Sequence, residues 1–412
     1  MPRRSIRPAS FRRALASCGA ALTIAAGTVS LAAAPEAQAA SSMADFKAGS
    51  SEALYSTVSP VIAQWSQNPA TAGQLTELYR MLQATPLRGL PLWNLWGEPT
   101  PYPPSSERDF DAPHLVRREK DERFDVERLW VASPAMRREV QVQIQYPKDR
   151  TAPAPMLYLL DGVSAPVQSG WLRKGDVQGA LANEHVTAVM AVEAGGTNYT
   201  DWNETDPYLG RSKWETFLTQ ELPGVLEAES TGIAFNGERY IGGLSMGGAA
   251  AARLANLHPQ LYTGAFSISS CYSTTSTSGR ELLNLATRAM GGKPEKMWGV
   301  GNTPQRLRND ITANPAGLAS MRTYFYVGNG NASQQDLQTI RPDGVSTLVG
   351  DIALEKLANT CTHELEDSMT SRGMAGNAEF DYHDSGVHEW SYYKRQLPAA
   401  WASVSQGKYT YR

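Results

Sequence analysis

The sequence predicts an α/β protein organised on one largely parallel sheet, with helices on both faces. Three observations carry this reading. Residues 156–160 and 186–192 are short, continuous apolar runs, the composition of strands covered on both sides. Stretches of helical character separate such runs throughout residues 124–412, as the crossovers of parallel strands require. Finally, Tyr240-Ile241 passes through a turn of small residues into the alanine-rich segment 245–253, a strand–turn–helix unit.

Length and composition allow one large domain with an extension. The chain has 412 residues, 42% of them hydrophobic and 19% charged, enough apolar material for a sizeable core. A formal charge of −3 gives no electrostatic case for nucleic acid or an anionic membrane surface. Residues 1–39 read as an export signal: arginines 3, 4, 7, 12 and 13, a small apolar run over 14–34, and Ala37-Gln38-Ala39 as a cleavage site. No later stretch is long and apolar enough to span a bilayer, so a secreted or cell-envelope protein is expected. Removing the signal removes Cys18 and leaves Cys271 and Cys361, and two cysteines in an exported chain point to a pair.

Residues 40–123 form an accessory extension. Leu75, Leu78, Tyr79 and Leu82 recur at helical spacing, predicting an amphipathic helix over 72–84. Tryptophans 93 and 96 and the proline-rich run 99–104 follow, and that run fits neither a central strand nor a helix interior. The catalytic domain is placed at 124–412. Residues 127–131 and 138–146 read as two strands joined at Ser133-Pro134. In the second, Val140, Val142, Ile144 and Tyr146 alternate with Gln141, Gln143 and Gln145. Residues 214–222 are helical, and 263–269 and 323–327 supply further buried strands. The Ser/Thr-rich stretch 267–278 is a loop at the C-terminal strand edge, where ligands bind in such sheets.

The turn after Ile241 is Gly243-Leu244-Ser245-Met246-Gly247, a G-x-S-x-G pattern that presents a serine hydroxyl at the top of a strand. A serine needs a base to take its proton. In α/β-hydrolase order the base and the acid both follow the nucleophile, which sets aside His114 and His185. His258 lies 13 residues along the helix, roughly 20 Å away, and His363 falls within a predicted helix. His383 and His388 remain, in Asp381-Tyr-His-Asp-Ser-Gly-Val-His-Glu-Trp390, with His388 favoured because it follows the Asp-Ser-Gly turn. Neither has metal-ligand spacing, and no metal or cofactor is expected. For the acid, the usual position after the strand 323–327 nominates Asp336, with Asp351, Glu355 and Asp367 also open. An oxyanion needs two backbone N–H donors. One is Met246, directly after the serine, and the loop Leu160-Asp161-Gly162-Val163 is the candidate for the other. Asp161 suits either a turn or a ligand contact.

Several motifs then occur together in one order: Tyr158-Leu-Leu-Asp-Gly162, Trp214-Glu-Thr-Phe-Leu-Thr-Gln-Glu-Leu-Pro223, Gly243-Leu-Ser-Met246, Met297-Trp-Gly299, Gly328-Asn-Gly330 and His388-Glu-Trp390. In this the chain resembles the antigen 85 mycolyltransferases, and the corynebacterial mycolyltransferases share its longer N-terminal region. The resemblance runs from about Phe124 nearly to the C-terminus. It implies an α/β-hydrolase fold. It implies Glu355, in Leu354-Glu-Lys-Leu, as the acid in place of Asp336, and His388 as the base. It also implies Val163 and Met246 as oxyanion donors, with Asp161 and Trp390 as sugar contacts. The family's trehalose-holding arginine has no counterpart, since its position is Ser164 here. The mycobacterial cysteine pair is absent too, and a Cys271–Cys361 bond would instead tie the segment of Glu355 to the sheet.

The activity so implied moves a mycolyl group from trehalose monomycolate, through a Ser245 acyl-enzyme, to an acceptor hydroxyl on a second trehalose monomycolate, arabinogalactan or protein. Two alternatives differ in kind. One is a secreted carboxylesterase with water as acceptor, and the other is a non-catalytic wall-binding relative. The intact Ser245, Glu355 and His388 count against the second. Oligomeric state is not legible in the sequence.

Overall fold

The computed structural model describes residues 56, 59–68, 104–340 and 345–411. The expected signal segment 1–39, the helix expected over 72–84 and the tryptophans at 93 and 96 lie outside the described residues.

Among the described residues nine strands form a single sheet: β1 (His114–Asp121), β2 (Val126–Ser133), β3 (Arg138–Gln145), β4 (Ala154–Leu160), β5 (Thr187–Ala191), β6 (Phe235–Leu244), β7 (Gly264–Ile268), β8 (Arg322–Val327) and β9 (Ala378–Tyr382). Their spatial order is β1-β2-β3-β5-β4-β6-β7-β8-β9. The first three pairings, ending with β3 on β5, are antiparallel, and every pairing from β5 to β9 is parallel. The mixed sheet and its helices match the α/β-hydrolase arrangement.

Side-chain alternation along β4 divides the core in two. Met156, Tyr158 and Leu160 join one buried cluster, and Leu157 and Leu159 join the other. Six helices matter for the site: α1 (Gly170–Arg173), α2 (Ser245–Leu257), α3 (Thr277–Ala289), α4 (Gln334–Ile340), α5 (Val345–Ser371) and α6 (Trp390–Ser405). Ala250, Ala251 and Leu254 of α2 pack on the first face, while Leu397, Ala400 and Trp401 of α6 pack on the second. The 27-residue α5 reaches both: Leu348 and Ile352 belong to the second cluster, Leu365 and Met369 to the first. It therefore crosses the end of the sheet, with Glu355 part-way along.

The sheet begins ahead of residue 124, where the sequence reading started the catalytic domain. β1 pairs with β2 from His114 to Asp121, so part of the expected extension is an edge strand. Its sequence, His-Leu-Val-Arg-Arg-Glu-Lys-Asp, is almost wholly exposed, and this is why no apolar alternation announces it. A register shift between Leu115 and Arg117 and the run of charge blunt the free edge against pairing with another chain. The polar face of β3 also differs from a solvated one. Gln141 and Gln143 are buried, and Gln143 accepts from the backbone N–H of Ser169 at 3.1 Å, which fixes the entry to α1.

A further piece of the extension packs close to the site. Residues 59–67 are helical, and Ser66 Oγ accepts from Ala332 N at 3.1 Å. Gln67 Nε2 donates to Ala332 O at 2.9 Å, and Lys356 Nζ donates to Ser66 O at 2.9 Å.

Candidate active site

The turn between β6 and α2 is tight enough to explain its glycines. A Cβ on Gly243 would lie 2.5 Å from the carbonyl carbon of Gly247, and one on Gly247 would lie 2.3 Å from the carbonyl oxygen of Asp161. Ser245 itself has φ +52°, a left-handed conformation costly for a non-glycine residue. That strain, of order 1–3 kcal/mol, is held by the flanking strand and helix and lifts the side chain out of the sheet. Ser270 Oγ steadies the turn by donating to Ser245 O at 2.9 Å.

Ser245, His388 and Glu355 form one hydrogen-bonded line. His388 Nε2 is 2.8 Å from Ser245 Oγ, and its Nδ1 is 2.9 Å from Glu355 Oε2. The second carboxylate oxygen, Oε1, accepts from Ser269 Oγ at 2.8 Å and from Gly328 N at 2.7 Å. Glu355 is 1% exposed, so these donors replace its water. They also fix the imidazole tautomer: with Nδ1–H donating to the carboxylate, Nε2 faces the serine as an acceptor. The ring is seated edge-on against Tyr393, centroids 5.5 Å apart, and His388 N donates to Asp351 O at 3.1 Å. The loop after β8 is laced to the histidine loop, with Gly330 N donating to Gly386 O at 2.8 Å and Gly386 N to Asn331 O at 3.2 Å.

The rejected groups are engaged elsewhere. Asp336 accepts from the hydroxyl of Tyr392 at 2.9 Å and from Ser333. It holds the start of α4 against α6 and does not meet His388. His383 pairs with Asp381 at 3.3 Å, His258 with Glu215 at 2.8 Å, and His363 stacks on Tyr382. Of the two residues that hold Glu355, Gly328 stands in the sequence reading only as part of the motif Gly328-Asn-Gly330, and Ser269 only as a strand end, neither with a role toward the acid. Ser269 does sit where the Ser/Thr-rich loop leaves the C-terminal end of β7.

A cavity of about 760 Å³ opens over Ser245. Val163, Ser164, Met246, His388 and Trp390 line it. Gly162 lies against the serine, since a Cβ there would be 3.6 Å from Ser245 Cβ. Met246 is the second residue of α2, so its N–H has no carbonyl one turn behind it. Between α3 and α5 the lining turns apolar, with Leu282, Leu283, Leu285, Ala286, Leu354 and Ala358. Cys271 also lines this space, and it is bonded to Cys361 of α5.

Asp161 departs from the expectation of a direct sugar contact. It is 1% exposed and does not line the cavity, because Gly170 and the ring of Trp390 stand before it. Its Oδ2 accepts from Ser169 Oγ at 2.8 Å and from Gly170 N at 3.2 Å, while Oδ1 has no partner. Burial pushes its pKa up to about 7, against the lowering effect of those donors. Trp390 does line the cavity, edge-on to Trp171 at 5.6 Å. Among the described residues no cluster could hold a metal ion, and no helix is long and apolar enough to cross a membrane.

The profile of a family described as "Putative esterase" matches residues 133–404. The chain is 35% identical over 285 residues to "Diacylglycerol acyltransferase/mycolyltransferase Ag85A" of Mycobacterium tuberculosis (strain ATCC 25618 / H37Rv), covering 66% of this chain and 79% of that protein. Against the protein of the same description in Mycobacterium leprae (strain TN) the identity is 34%, covering 66% and 80%. Among solved structures, Mycobacterium tuberculosis MPT51 (FbpC1) superposes with a TM-score of 0.55 at 24% identity, over 68% of this chain and 98% of that one.

Proposed function

Because the chain belongs to the antigen 85 mycolyltransferase family, within the putative esterases, we propose that its acyl transfer runs through Ser245, His388 and Glu355. The protein is an acyltransferase acting in mycolyl transfer; the residues and the acceptors are the proposed part. The observation that carries the reading is the line Ser245–His388–Glu355, closed at 2.8 Å and 2.9 Å beside a cavity with an apolar wall between α3 and α5.

The donor is trehalose monomycolate. As Ser245 Oγ bonds to the ester carbonyl carbon, its proton passes to His388 Nε2, and the carbonyl electron pair moves onto oxygen. The N–H groups of Val163 and Met246 face that oxyanion, and Glu355 stabilises the imidazolium. Collapse breaks the bond to the trehalose oxygen, which leaves with the proton from His388. A second hydroxyl, on trehalose monomycolate or another cell-wall sugar, then gives His388 its proton and takes the acyl group. The apolar lining between α3 and α5 suits the acyl chain, and Trp390 in the cavity wall suits a sugar face. No step requires a cofactor. Export through the segment 1–39, with cutting after Ala39, puts this chemistry in the cell envelope, and residues 40–113 act as an accessory to it.

Incubation with trehalose monomycolate, scoring dimycolate against free mycolic acid, tests this directly. Transfer should dominate in the unmodified protein. Ser245→Ala should lower turnover by about 10³-fold or more. Free acid as the main product would make the protein an esterase, and activity persisting in Ser245→Ala would remove the serine from the mechanism.

A further inference from the structure

Residues 59–67 lie outside the span 133–404 that the esterase profile matches, and nothing said so far gives them a role. Their helix buries one face. Ser59, Ile62, Ala63 and Ser66, at helical spacing, are each 5% exposed or less, whereas Pro60, Val61 and Gln64 are exposed. Ile62 and Ala63 enter the second core cluster. Ser66 Oγ donates to Ala63 O at 2.7 Å, which spends its proton within the helix and leaves its lone pairs to accept from outside.

What it accepts from is the loop 328–332, between β8 and α4, and each part of that loop holds something different. Gly328 N donates to Glu355 Oε1 at 2.7 Å, while Gly328 O accepts from Asn359 Nδ2 of α5 at 3.0 Å. Gly330 N and Asn331 O bond to Gly386, two residues ahead of His388. Ala332 is 1% exposed, and it closes the loop against the extension: its N–H donates to Ser66 Oγ at 3.1 Å and its carbonyl accepts from Gln67 Nε2 at 2.9 Å. Five consecutive residues thus join the acid, the histidine loop and the helix at 59–67. Without the Ser66 acceptor the buried Ala332 N–H has lost its partner, and a shift of the loop toward water is its relief. Gly328 moves with such a shift, and the seat of Glu355 with it.

We infer that residues 59–67 are a positioning element for the catalytic line, in which Ser66 and Gln67 hold Ala332 and, through the loop 328–332, keep Glu355 set against His388. Neither side chain lines the cavity, so the contact acts on the rate of the chemical step and not on substrate binding. This rests on the reading of Ser245, His388 and Glu355 as the reacting groups. It makes the extension part of the acyl-transfer apparatus.

The test is kinetic, on the full chain, with 4-nitrophenyl acetate. Ser66→Val removes the acceptor while keeping a side chain of similar bulk, and Ser66→Thr keeps the hydroxyl. Gln67→Ala changes an exposed side chain, so it reads the same contact should Ser66→Val fold poorly. Ile62→Ala thins the core under the helix and leaves both bonds to Ala332 in place. Ser66→Val should lower kcat by about fivefold or more, and Gln67→Ala by about twofold or more, each with KM unchanged. Ser66→Thr should keep most of the activity, and Ile62→Ala should lower Tm at unchanged kcat. Adding Ser66→Val to Glu355→Ala should lower kcat by less than about twofold further, since the group through which Ser66 acts is gone. Unchanged kcat in Ser66→Val and Gln67→Ala overturns the positioning role, and so does the same fall in Ile62→Ala or a full second fall on Glu355→Ala. Each of these results makes the helix core packing alone. Failure of the unmodified protein to turn over the ester overturns the serine reading, and this inference with it.

Discussion

Asp161 shows how an acid can be legible in sequence while its environment is not. Its place after β4 marked it as a turn or ligand residue, yet it lies buried behind Trp390 with one carboxylate oxygen unpartnered. Its pKa, raised to about 7 from 3.8, means that the folded state binds a proton more tightly than the unfolded chain does. Its contribution to stability is therefore fully present below about pH 4 and is lost as pH rises through 7. Asp161→Asn should flatten thermal stability between pH 4 and 7 and raise Tm at pH 8, as read by scanning calorimetry. An unchanged pH profile would place the pH dependence elsewhere. Glu215 has the opposite sign. Burial works against its carboxylate, but His258 and Arg308 outweigh this and hold it at about 2, so its stabilisation is lost as pH falls from 4.5 through 2. For Glu355, substitution by Gln keeps the shape but removes the charge facing His388 Nδ1. A fall in kcat of about 10³–10⁴-fold is expected, with the fold intact by circular dichroism. An effect under tenfold would demote Glu355 to a structural role.

At the level of elements, α5 explains why the acid could not be found by spacing. Glu355 sits within a 27-residue helix that crosses from one core cluster to the other, and no local pattern distinguishes it from Asp351 or Asp367. Proximity to His388 is created by the crossing. The elbow was the reverse case, because its glycines, serine and following helix are contiguous and their steric demands are local. The same helix α5 also receives support from outside the sheet. Lys356 Nζ reaches Ser66 O at 2.9 Å and Asn329 O at 3.1 Å, bridging the helix at 59–67 to the loop whose Gly328 N holds Glu355. Burial lowers the Lys356 pKa, so its ammonium depends on these carbonyls. Lys356→Met should lower kcat several-fold with little change in KM, and Lys356→Arg should restore part of it. A change confined to Tm would make the bridge purely structural.

For the whole molecule, the sheet from β2 to β8 was readable, by alternation in β3 and by buried apolar runs in the parallel strands, whereas β1 was hidden by its charge. The difference has a practical consequence. A chain beginning at Pro104 keeps the charged edge, while one beginning at Phe124 bares β2, with Leu129 and Val131 at its centre. The shorter chain should aggregate at concentrations where the longer stays monodisperse by light scattering. Equal behaviour would mean that the edge needs no cover. The 90-residue loop closed by Cys271–Cys361 has a further consequence. Cys361 is fully buried and Cys271 faces the cavity, so a reductant must approach this bond through the space meant for the acyl chain. The bond then works as a gauge of occupancy: a long-chain phosphonate fixed to Ser245 should slow reduction by a phosphine, and a methyl phosphonate should not. The rate at which thiols appear would time how long each acyl group stays in the cavity, independently of any product assay.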